Sequence, residues 1–373
     1  MASLTEVGCS KRRRRFVELL ATMQLDGAVI TDVRDCYYFT GTLAPDDLPI
    51  ALVVDGNGRW RCLGPAEFDF SACDETYTYE WNTRGTRNPD PVYCLTAAAR
   101  KANLRTSGRR IGIHSQSLLA QVAEKLLNGS HDLVPFDDAL ALMQQRKDAD
   151  EVDVIRGCVR ANLAAYEAVA AAIAPGVNEL DVLAAGRRGA ILGAGEKVFH
   201  DGDYQSGSYN GPARDRKIER GELYIVDAWT RYRGYWTDMS RTFMVGAPPT
   251  DTQRALFDHI RGIQRALPSI LRPGIDGREL YRHVDEMIRA HAPLATEGLI
   301  HHAGHAIGLR IHEMPDLNPD RGGVLQPGNV ICVEPGGYFA AARQGVRLEN
   351  MYLITDDGCE DLCPGEIELR VCG

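Results

Sequence analysis

The sequence predicts an α/β protein, of the α+β kind, with two domains, and three features of the 373-residue chain support this class. Runs of β-branched and apolar residues alternate with amphipathic segments over roughly the first 145 residues. An alanine-rich segment, residues 148–174, then predicts one long helix that ends at a Pro-Gly pair. After it, a helix-break-helix pattern occurs twice. We therefore predict an N-terminal domain at residues 1–145 and a second domain at residues 146–373.

Elements of the N-terminal domain follow in order along the chain. Residues 12–24 predict a short amphipathic helix, and residues 28–41 and 49–64 are apolar, β-rich runs separated by turn signals. Residues 111–127 continue with a strand followed by a helix. This alternation predicts an α/β domain around a partly buried sheet.

The second domain contains an internal repeat. IAPGVNELDVLAAGR (173–187) resembles LRPGIDGRELYRHVD (271–285): each ends one helix, breaks at Pro-Gly and begins a new helix after Asn or Asp. Such junctions are common, but each copy here is followed by strands that carry candidate site residues. We therefore predict two related halves that form one catalytic domain.

Composition and charge narrow the function class. The chain is 44% hydrophobic and 25% charged, and its net charge of −9 argues against nucleic acid as the main partner. Its one basic run, residues 11–15, is either a localisation signal or, as we favour, a solvated helix start. We expect no membrane partner, because no run approaches the ~18 apolar residues of a membrane span and no signal peptide is apparent. Ten scattered cysteines predict free thiols and a cytoplasmic location.

Two aspartates lie in a predicted β-hairpin, GELYIVDAWTRYRGYWTDMSRTF (221–243). If its turn is centred between Tyr232 and Arg233, Asp227 and Asp238 face each other with Cβ atoms about 5 Å apart. Facing like charges in a mostly apolar hairpin are destabilising unless a cation lies between them. The pair therefore indicates a metal site, weakly when taken alone.

Two more carboxylates follow predicted buried strands. Glu334 ends an apolar strand just before Pro-Gly-Gly, where an unpaired charge is costly. Arg347 and Glu349 are two residues apart, on one face of a strand predicted at residues 345–355, and an ordinary ion pair is the alternative interpretation. Four carboxylates with at least one histidine suit two divalent cations such as Mn, Fe, Co or Zn.

Four of the ten histidines fall within HHAGHAIGLRIH (301–312). They do not form the zinc motif H-E-x-x-H, because Asp316 replaces its second histidine and Pro315 would break its helix. Any metal bound here therefore needs ligands from elsewhere in the chain.

These motifs together resemble those of the creatinase / aminopeptidase P / prolidase family, the pita-bread metallopeptidases, and are closest to the Xaa-Pro dipeptidases. The resemblance runs from about Arg15 to the C-terminus and includes D-M-S-R-T-F, G-H-A-I-G-L-R-I-H-E, C-V-E-P-G-G-Y and G-V-R-L-E-N. It implies a creatinase-like N-terminal domain followed by a pseudo-twofold catalytic domain with a curved antiparallel sheet. The metal ligands it implies are Asp227, Asp238, His305, Glu334 and Glu349.

The resemblance also implies roles in catalysis. Glu334 would carry the proton from a metal-bridging hydroxide to the leaving nitrogen, while His301 and His312 would contact the substrate and its carbonyl. Arg347 would hold Glu349 or bind the substrate's carboxyl end, and His302 would be structural. The implied reaction is cleavage of the Xaa-Pro bond in dipeptides or short peptides, with two Mn ions as the first choice and Co, Zn or Fe as alternatives. A homodimer is expected.

The sequence departs from this family before the first aspartate. Active members carry a Pro-His there, but SGSYNGPARDRKIERGELYIVD contains no histidine, and His200 lies too far upstream to replace it. Residues 227–230 and Asn350 also differ from the usual pattern. Two alternatives therefore stay open: hydrolysis of a small non-peptide C–N bond, as in creatinase or ectoine-hydrolysing relatives, or a non-catalytic binding function. The complete ligand set argues against the second.

Overall fold

The computed structural model describes residues 2–104, 106, 108–127, 131–339, 344–363 and 365–373. Within it the chain forms two compact units, Ser3–Gln144 and Gln145–Gly373, the latter together with Ala2. Among the described residues, no helix combines the length and the apolar character that crossing a membrane requires.

A mixed six-stranded sheet forms the centre of the first unit. Its strand order is β4-β3-β2-β1-β7-β8, in which β1, β2 and β3 pair antiparallel and the other neighbours pair parallel. The elements are α1 (Glu6–Thr22), β1 (Gly27–Ile30), α2 (Val33–Thr40), β2 (Ala51–Asp55), β3 (Trp60–Pro65), β4 (Glu75–Tyr79), β5 (Asn82–Thr83), β6 (Thr86–Arg87), α3 (Pro91–Lys101), β7 (Arg110–Ile113), α4 (Ala120–Leu126), β8 (Asp132–Pro135) and α5 (Asp137–Gln145).

Two predictions for this unit were wrong. Residues 28–41 are not β-rich throughout, because Asp32 accepts a hydrogen bond from the Arg34 amide and starts helix α2, which ends at Gly41 with φ +74°. The basic run is not a solvated helix start either. It lies inside α1, where Arg12 is fully buried and donates from Nε to the Tyr38 carbonyl at 2.8 Å.

Three mainly antiparallel sheets and several helices make up the second unit. The elements are α6 (Ala149–Ala172), α7 (Glu179–Ala194), β9 (Phe199–Ser206), β10 (Leu223–Tyr232), β11 (Tyr235–Val245), α8 (Asp251–Ala266), α9 (Gly277–Arg289), β12 (Gly304–Ala306), β13 (Glu313–Leu317), β14 (Val330–Val333), β15 (Gly336–Phe339), β16 (Gln344–Arg347), β17 (Asn350–Ile354), β18 (Cys359–Asp361) and β19 (Val371–Cys372). One sheet has the order β19-β11-β10-β9, with β19 parallel to β11, another has β13-β12-β14-β17-β18, and β15 pairs with β16.

The predicted repeat is confirmed in the local geometry. Asn178 and Asp276 are the N-caps of α7 and α9, and each side chain accepts from the amide two residues further on. Each cap also makes an isolated antiparallel bridge, Asn178 with Lys217 and Asp276 with Val324. The second helix of each half, α7 or α9, therefore starts in the same way, after an extended cap residue that also forms a β-bridge.

Candidate metal centre

The hairpin of β10 and β11 places two aspartates on one face of the sheet. Its turn is Arg233-Gly234, with φ of +47° and +83°, as a two-residue turn with both residues left-handed requires. Asp227 therefore pairs with Ser240, and Asp238 pairs with Trp229. The prediction that the two aspartates lie directly opposite each other was therefore wrong. Asp238 is two residues from Ser240, the partner of Asp227, so the two aspartates are diagonal neighbours on the same face of the hairpin.

Glu349 lies on this face because the β-strand that was predicted to contain it is interrupted there. The strand predicted at residues 345–355 is in fact two strands, because β16 ends at Arg347 and β17 begins at Asn350. Between them, the Glu349 amide donates to the Ser240 carbonyl at 3.0 Å, which ties Glu349 to β11. One carboxylate oxygen from each of Asp227, Asp238 and Glu349 lies within 4.8 Å of the others.

Two further candidate ligands come from the second half of the unit. Strand β12 lies between β13 and β14, and it carries His305. The imidazole contacts the Ala306 carbonyl through Nδ1 at 3.0 Å, which leaves Nε2 3.9 Å from Asp238 Oδ2. Glu334 directly follows the fully buried strand β14, as predicted, and its amide donates to the Ala303 carbonyl.

The chemistry of these residues fits divalent cations. Oδ1 of Asp227, Oδ1 of Asp238 and Oε1 of Glu349 are buried and have no hydrogen-bond partner among the described residues. Burial, reinforced by the neighbouring carboxylates, raises the pKa of Asp238 and Glu349 well above the ordinary value, and burial raises the pKa of Glu334 to about 8. Burial also lowers the pKa of His305 to about 3, so its imidazole is neutral. Buried carboxylates with a neutral imidazole are a donor set that Mn, Fe, Co or Zn accepts.

Arg347 lies among the carboxylates. Its Nη1 is 2.5 Å from Asp227 Oδ2 and 3.6 Å from Glu334 Oε2. It therefore pairs with these two carboxylates and not with Glu349, the first of the two predicted roles, while the second, contact with the substrate's carboxyl end, stays a prediction. Its Nε donates to Tyr338 Oη at 2.8 Å. Strand β16 ends at Arg347, and Glu349 forms a β-bridge with Ser240 on β11. Arg347 and Glu349 are therefore not neighbours on one face of a single strand.

The histidine cluster surrounds Glu334 and His305. His301 lies 3.0 Å through Nε2 from Tyr338 Oη and 3.8 Å through Nδ1 from Glu334 Oε2. The exposed His312 stacks on His305 with ring centroids 3.9 Å apart and an interplanar angle of 17°. His302, for which we predicted only a structural role, has Nδ1 3.2 Å from Glu334 Oε1. Its position next to His301 was the one signal available.

Sequence reasoning missed two residues beside Asp227. Asp203 on β9 pairs directly with Asp227 on β10, so both side chains lie on the same face. Asn210, in the loop after β9, donates from Nδ2 to Asp203 Oδ2 at 2.8 Å and to Asp227 Oδ2 at 3.4 Å. Asp201, Asp203 and Gln205 recur at every second position of the segment 199–206, and this period of two was a signal for β9.

The sequence indicated that His200 would not replace the missing histidine of the Pro-His motif, and its position in the structure agrees with this. It pairs with Thr230, three residues from Asp227, and therefore lies on the other face of the sheet. Its ring nitrogens contact Thr230 Oγ1 at 2.8 Å and Tyr204 Oη at 2.7 Å. Burial lowers the pKa of His200 to about 4, which keeps this buried imidazole neutral.

Two family profiles and several named relatives match this chain. The sequence profile of metallopeptidase family M24 matches residues 153–356, and that of the creatinase/prolidase N-terminal domain matches residues 12–146. The Xaa-Pro dipeptidase of Pyrococcus horikoshii is 32% identical over 368 residues, and that of Pyrococcus furiosus 27% over 367 residues. Each alignment covers 96% of this chain and 99% of the relative.

Solved structures show the same architecture. The prolidase from Pyrococcus horikoshii superposes with a TM-score of 0.78 at 25% identity, and the X-Pro aminopeptidase from Thermotoga maritima with 0.77 at 20%. Each match covers 96% of this chain and 99% of the other. The predicted fold class, a creatinase-like domain followed by a pita-bread catalytic domain, is thereby confirmed. The chain belongs to metallopeptidase family M24 and is an enzyme of that class.

Proposed function

We propose that this protein hydrolyses the Xaa-Pro bond of dipeptides or short peptides with two divalent metal ions. The observation that carries the proposal is the buried group of Asp227, Asp238 and Glu349. One carboxylate oxygen of each lies within 4.8 Å of the others, and each residue has a buried oxygen with no hydrogen-bond partner among the described residues. Relatives named as Xaa-Pro dipeptidases cover 96% of the chain, which supports the choice of substrate.

Two ions would be held by the five candidate ligands Asp227, Asp238, His305, Glu334 and Glu349. When bound, two such cations lower the pKa of a shared water and polarise the scissile carbonyl. Manganese is the first choice because four of the five ligands are hard carboxylates, with cobalt, zinc or iron as alternatives.

Glu334 would move the proton. This buried carboxylate, itself one of the five candidate ligands, would accept the proton from the attacking water and pass it to the leaving nitrogen. The nitrogen of a prolyl bond carries no hydrogen of its own, so its expulsion depends on that delivered proton. Arg347, with Nη1 3.6 Å from Glu334 Oε2, holds this carboxylate in place.

The remaining polar groups would bind the substrate. His312 is exposed at the edge of the centre and would donate to the carbonyl oxygen as negative charge develops on it. His301 is next to Glu334 and would contact the peptide on that side. Arg347 uses Nε and Nη1 within the protein, which leaves Nη2 for the substrate's carboxylate.

Metal-stripped protein reloaded with Mn²⁺ tests this function. Ala-Pro and Met-Pro are compared with Ala-Ala and with a longer Xaa-Pro peptide, and bound metal is counted by elemental analysis. We expect cleavage of the Xaa-Pro dipeptides that Glu334→Gln abolishes. Protein that holds two metals and cleaves none of these peptides would refute the peptidase function and favour a small non-peptide C–N bond as the substrate.

Three other sequence predictions remain proposals. The domain boundary between residues 145 and 146 is supported by the two compact units and by the extents of the two family profiles. The homodimer and the cytoplasmic location rest on the family resemblance and on the ten free cysteines. Sedimentation of the metal-loaded protein tests the dimer directly.

A further inference from the structure

Asp203 is an additional carboxylate at the edge of the metal centre, with no role among the five candidate ligands. It is half-buried on β9, directly across from Asp227. Its Oδ2 accepts from Asn210 Nδ2 at 2.8 Å, and the same nitrogen lies 3.4 Å from Asp227 Oδ2. The two carboxylates are therefore held within about 6 Å of each other by one shared donor.

The loop that carries Asn210 is anchored on both sides of it. The Gly211 carbonyl accepts from the Tyr204 amide at 2.8 Å, and the Pro212 carbonyl accepts from Gln205 Nε2 at 2.9 Å. On the other side, the Tyr209 ring packs edge-on against Tyr338, with centroids 5.8 Å apart. Asn210 is thus fixed over the strand pair, and it fixes the carboxylate of Asp203.

The charge of Asp203 has no partner within the described part of the protein. Four ligand carboxylates balance two divalent cations, and Arg347 pairs with Asp227 and Glu334. Among the described residues, no Lys, Arg or His nitrogen lies within 4.0 Å of the Asp203 carboxylate, whereas Asp201 on the same strand pairs with Arg187. A carboxylate held near a metal centre without an ion pair is suited to binding a cation that arrives from solution.

We propose, on the basis of the peptidase function above, that Asp203, positioned by Asn210, binds the α-ammonium group of the substrate's first residue. In a dipeptide this group lies only about 2.5 Å from the scissile carbonyl carbon, as N–Cα and Cα–C bond lengths dictate. A substrate whose carbonyl is held at the metal pair must therefore place its ammonium beside the ligands. Asp203 is the carboxylate beside Asp227 that the ligand set leaves free, so the site selects peptides with a free amino terminus.

Kinetics with a matched pair of substrates test this assignment. Ala-Pro carries the ammonium, and propionyl-proline has the same shape without it. For the Mn²⁺-loaded wild-type enzyme we expect a much higher kcat/KM on Ala-Pro. Asp203→Asn should lower that value about 10- to 100-fold, the range expected for a lost charge-assisted hydrogen bond, and mainly through KM. The value for propionyl-proline should change by less than about twofold.

Asp201→Asn is the control, because it makes the same change two residues earlier on β9 at a carboxylate already paired with Arg187. It should alter neither substrate's kcat/KM by more than about twofold. In the wild type, the preference for Ala-Pro should also decline above about pH 8, where the α-amino group loses its charge. Asp203→Asn should show a smaller decline, whereas a merely structural role for Asp203 would leave the decline as large as in the wild type.

Several outcomes would overturn the assignment. Equal losses on both substrates would make Asp203 a general positioning residue, and a lower metal content of Asp203→Asn would make it a metal ligand. An unchanged Asp203→Asn enzyme would leave it no role in recognition. If the wild type cleaves neither compound, the peptidase function fails, and calorimetric binding of the same two compounds then decides the ammonium site separately. Equal affinity for both would refute it.

Discussion

Metal removal should reverse the usual dependence of stability on pH. Consider a carboxyl whose pKa is raised by folding. Below its pKa in the unfolded chain, about 4.5 for Glu334, it is protonated in both the folded and the unfolded state, so it does not affect the free energy of unfolding. As the pH rises toward the folded pKa, the unfolded state gains by releasing a proton that the folded state must keep. The free energy of unfolding of the metal-free protein should therefore fall as pH rises, and Glu334, with a pKa of about 8, sets the upper end of the window.

The window from about pH 6.5 to 8 isolates this effect. Burial lowers the pKa of His200, His301 and His305. These histidines therefore make the free energy of unfolding rise with pH, but only below about pH 6.5, the pKa of an unfolded histidine. Above that value the raised carboxyls dominate, and near pH 8 the buried thiols of Cys158, Cys332 and Cys363, whose pKa burial also raises, add a smaller loss of the same sign. For Glu334, integrating about 1.4 kcal/mol per pH unit over the window gives a loss of between about 1 and 2 kcal/mol. Asp238 and Glu349 act in the same direction.

Urea unfolding of chelator-treated protein at pH 6.5, 7.2 and 8 measures this slope. Glu334→Gln, which cannot titrate, should show a slope smaller by the contribution of one carboxyl. Mn²⁺-loaded protein should show none of the decline, because bound cations keep the carboxylates ionised in the folded state. A free energy of unfolding that stays constant or rises across this window in the metal-free wild type would refute the reasoning.

Two substitutions test how the second unit supports its site. Lys147→Met should destabilise the protein by about 3–5 kcal/mol in chemical unfolding, because it leaves Glu313, its partner at 2.7 Å, buried without a counter-charge. Adding Glu313→Gln should recover part of that loss, and no recovery would contradict the ion-pair explanation. Gly202→Ala should cost about 1–3 kcal/mol and weaken Mn²⁺ binding, because its Cβ would lie 2.4 Å from the Asp227 carbonyl oxygen. The control Gly262→Ala, in α8 with open space around it, should leave metal binding unchanged.

The general fold was predictable because its signals are local. The Pro-Gly breaks and the capping residues Asn178 and Asp276 mark both halves of the second unit, and the apolar run before Glu334 forms the expected strand. The hairpin turn was misplaced by one residue, although Gly234 was a usable signal: a two-residue turn needs φ > 0 at both positions, and glycine favours the second.

The candidate site was only partly predictable because its contacts join distant parts of the chain. Arg347 pairs with Asp227 across 120 residues, and no sequence spacing reveals that contact. Asn210 lies in an irregular loop, where neither periodicity nor propensity indicates the direction of a side chain. The break of the predicted strand at Glu349 follows from its bridge to Ser240, another long-range contact.

The division of ligands between the two halves has a consequence for stability. Asp227 and Asp238 come from the hairpin of the first half, whereas His305, Glu334 and Glu349 come from the second, so neither half holds a complete donor set. Cations that require both sets bind only when the halves are joined, and each then stabilises the folded state by mass action, by about 2.7 kcal/mol when the free ion is 100-fold above its dissociation constant. The cations would thus hold the two halves together as well as serve the reaction. Stability of the wild type should accordingly rise with Mn²⁺ concentration, and Glu349→Ala, which removes the ligand tied to the hairpin through Ser240, should abolish most of that rise.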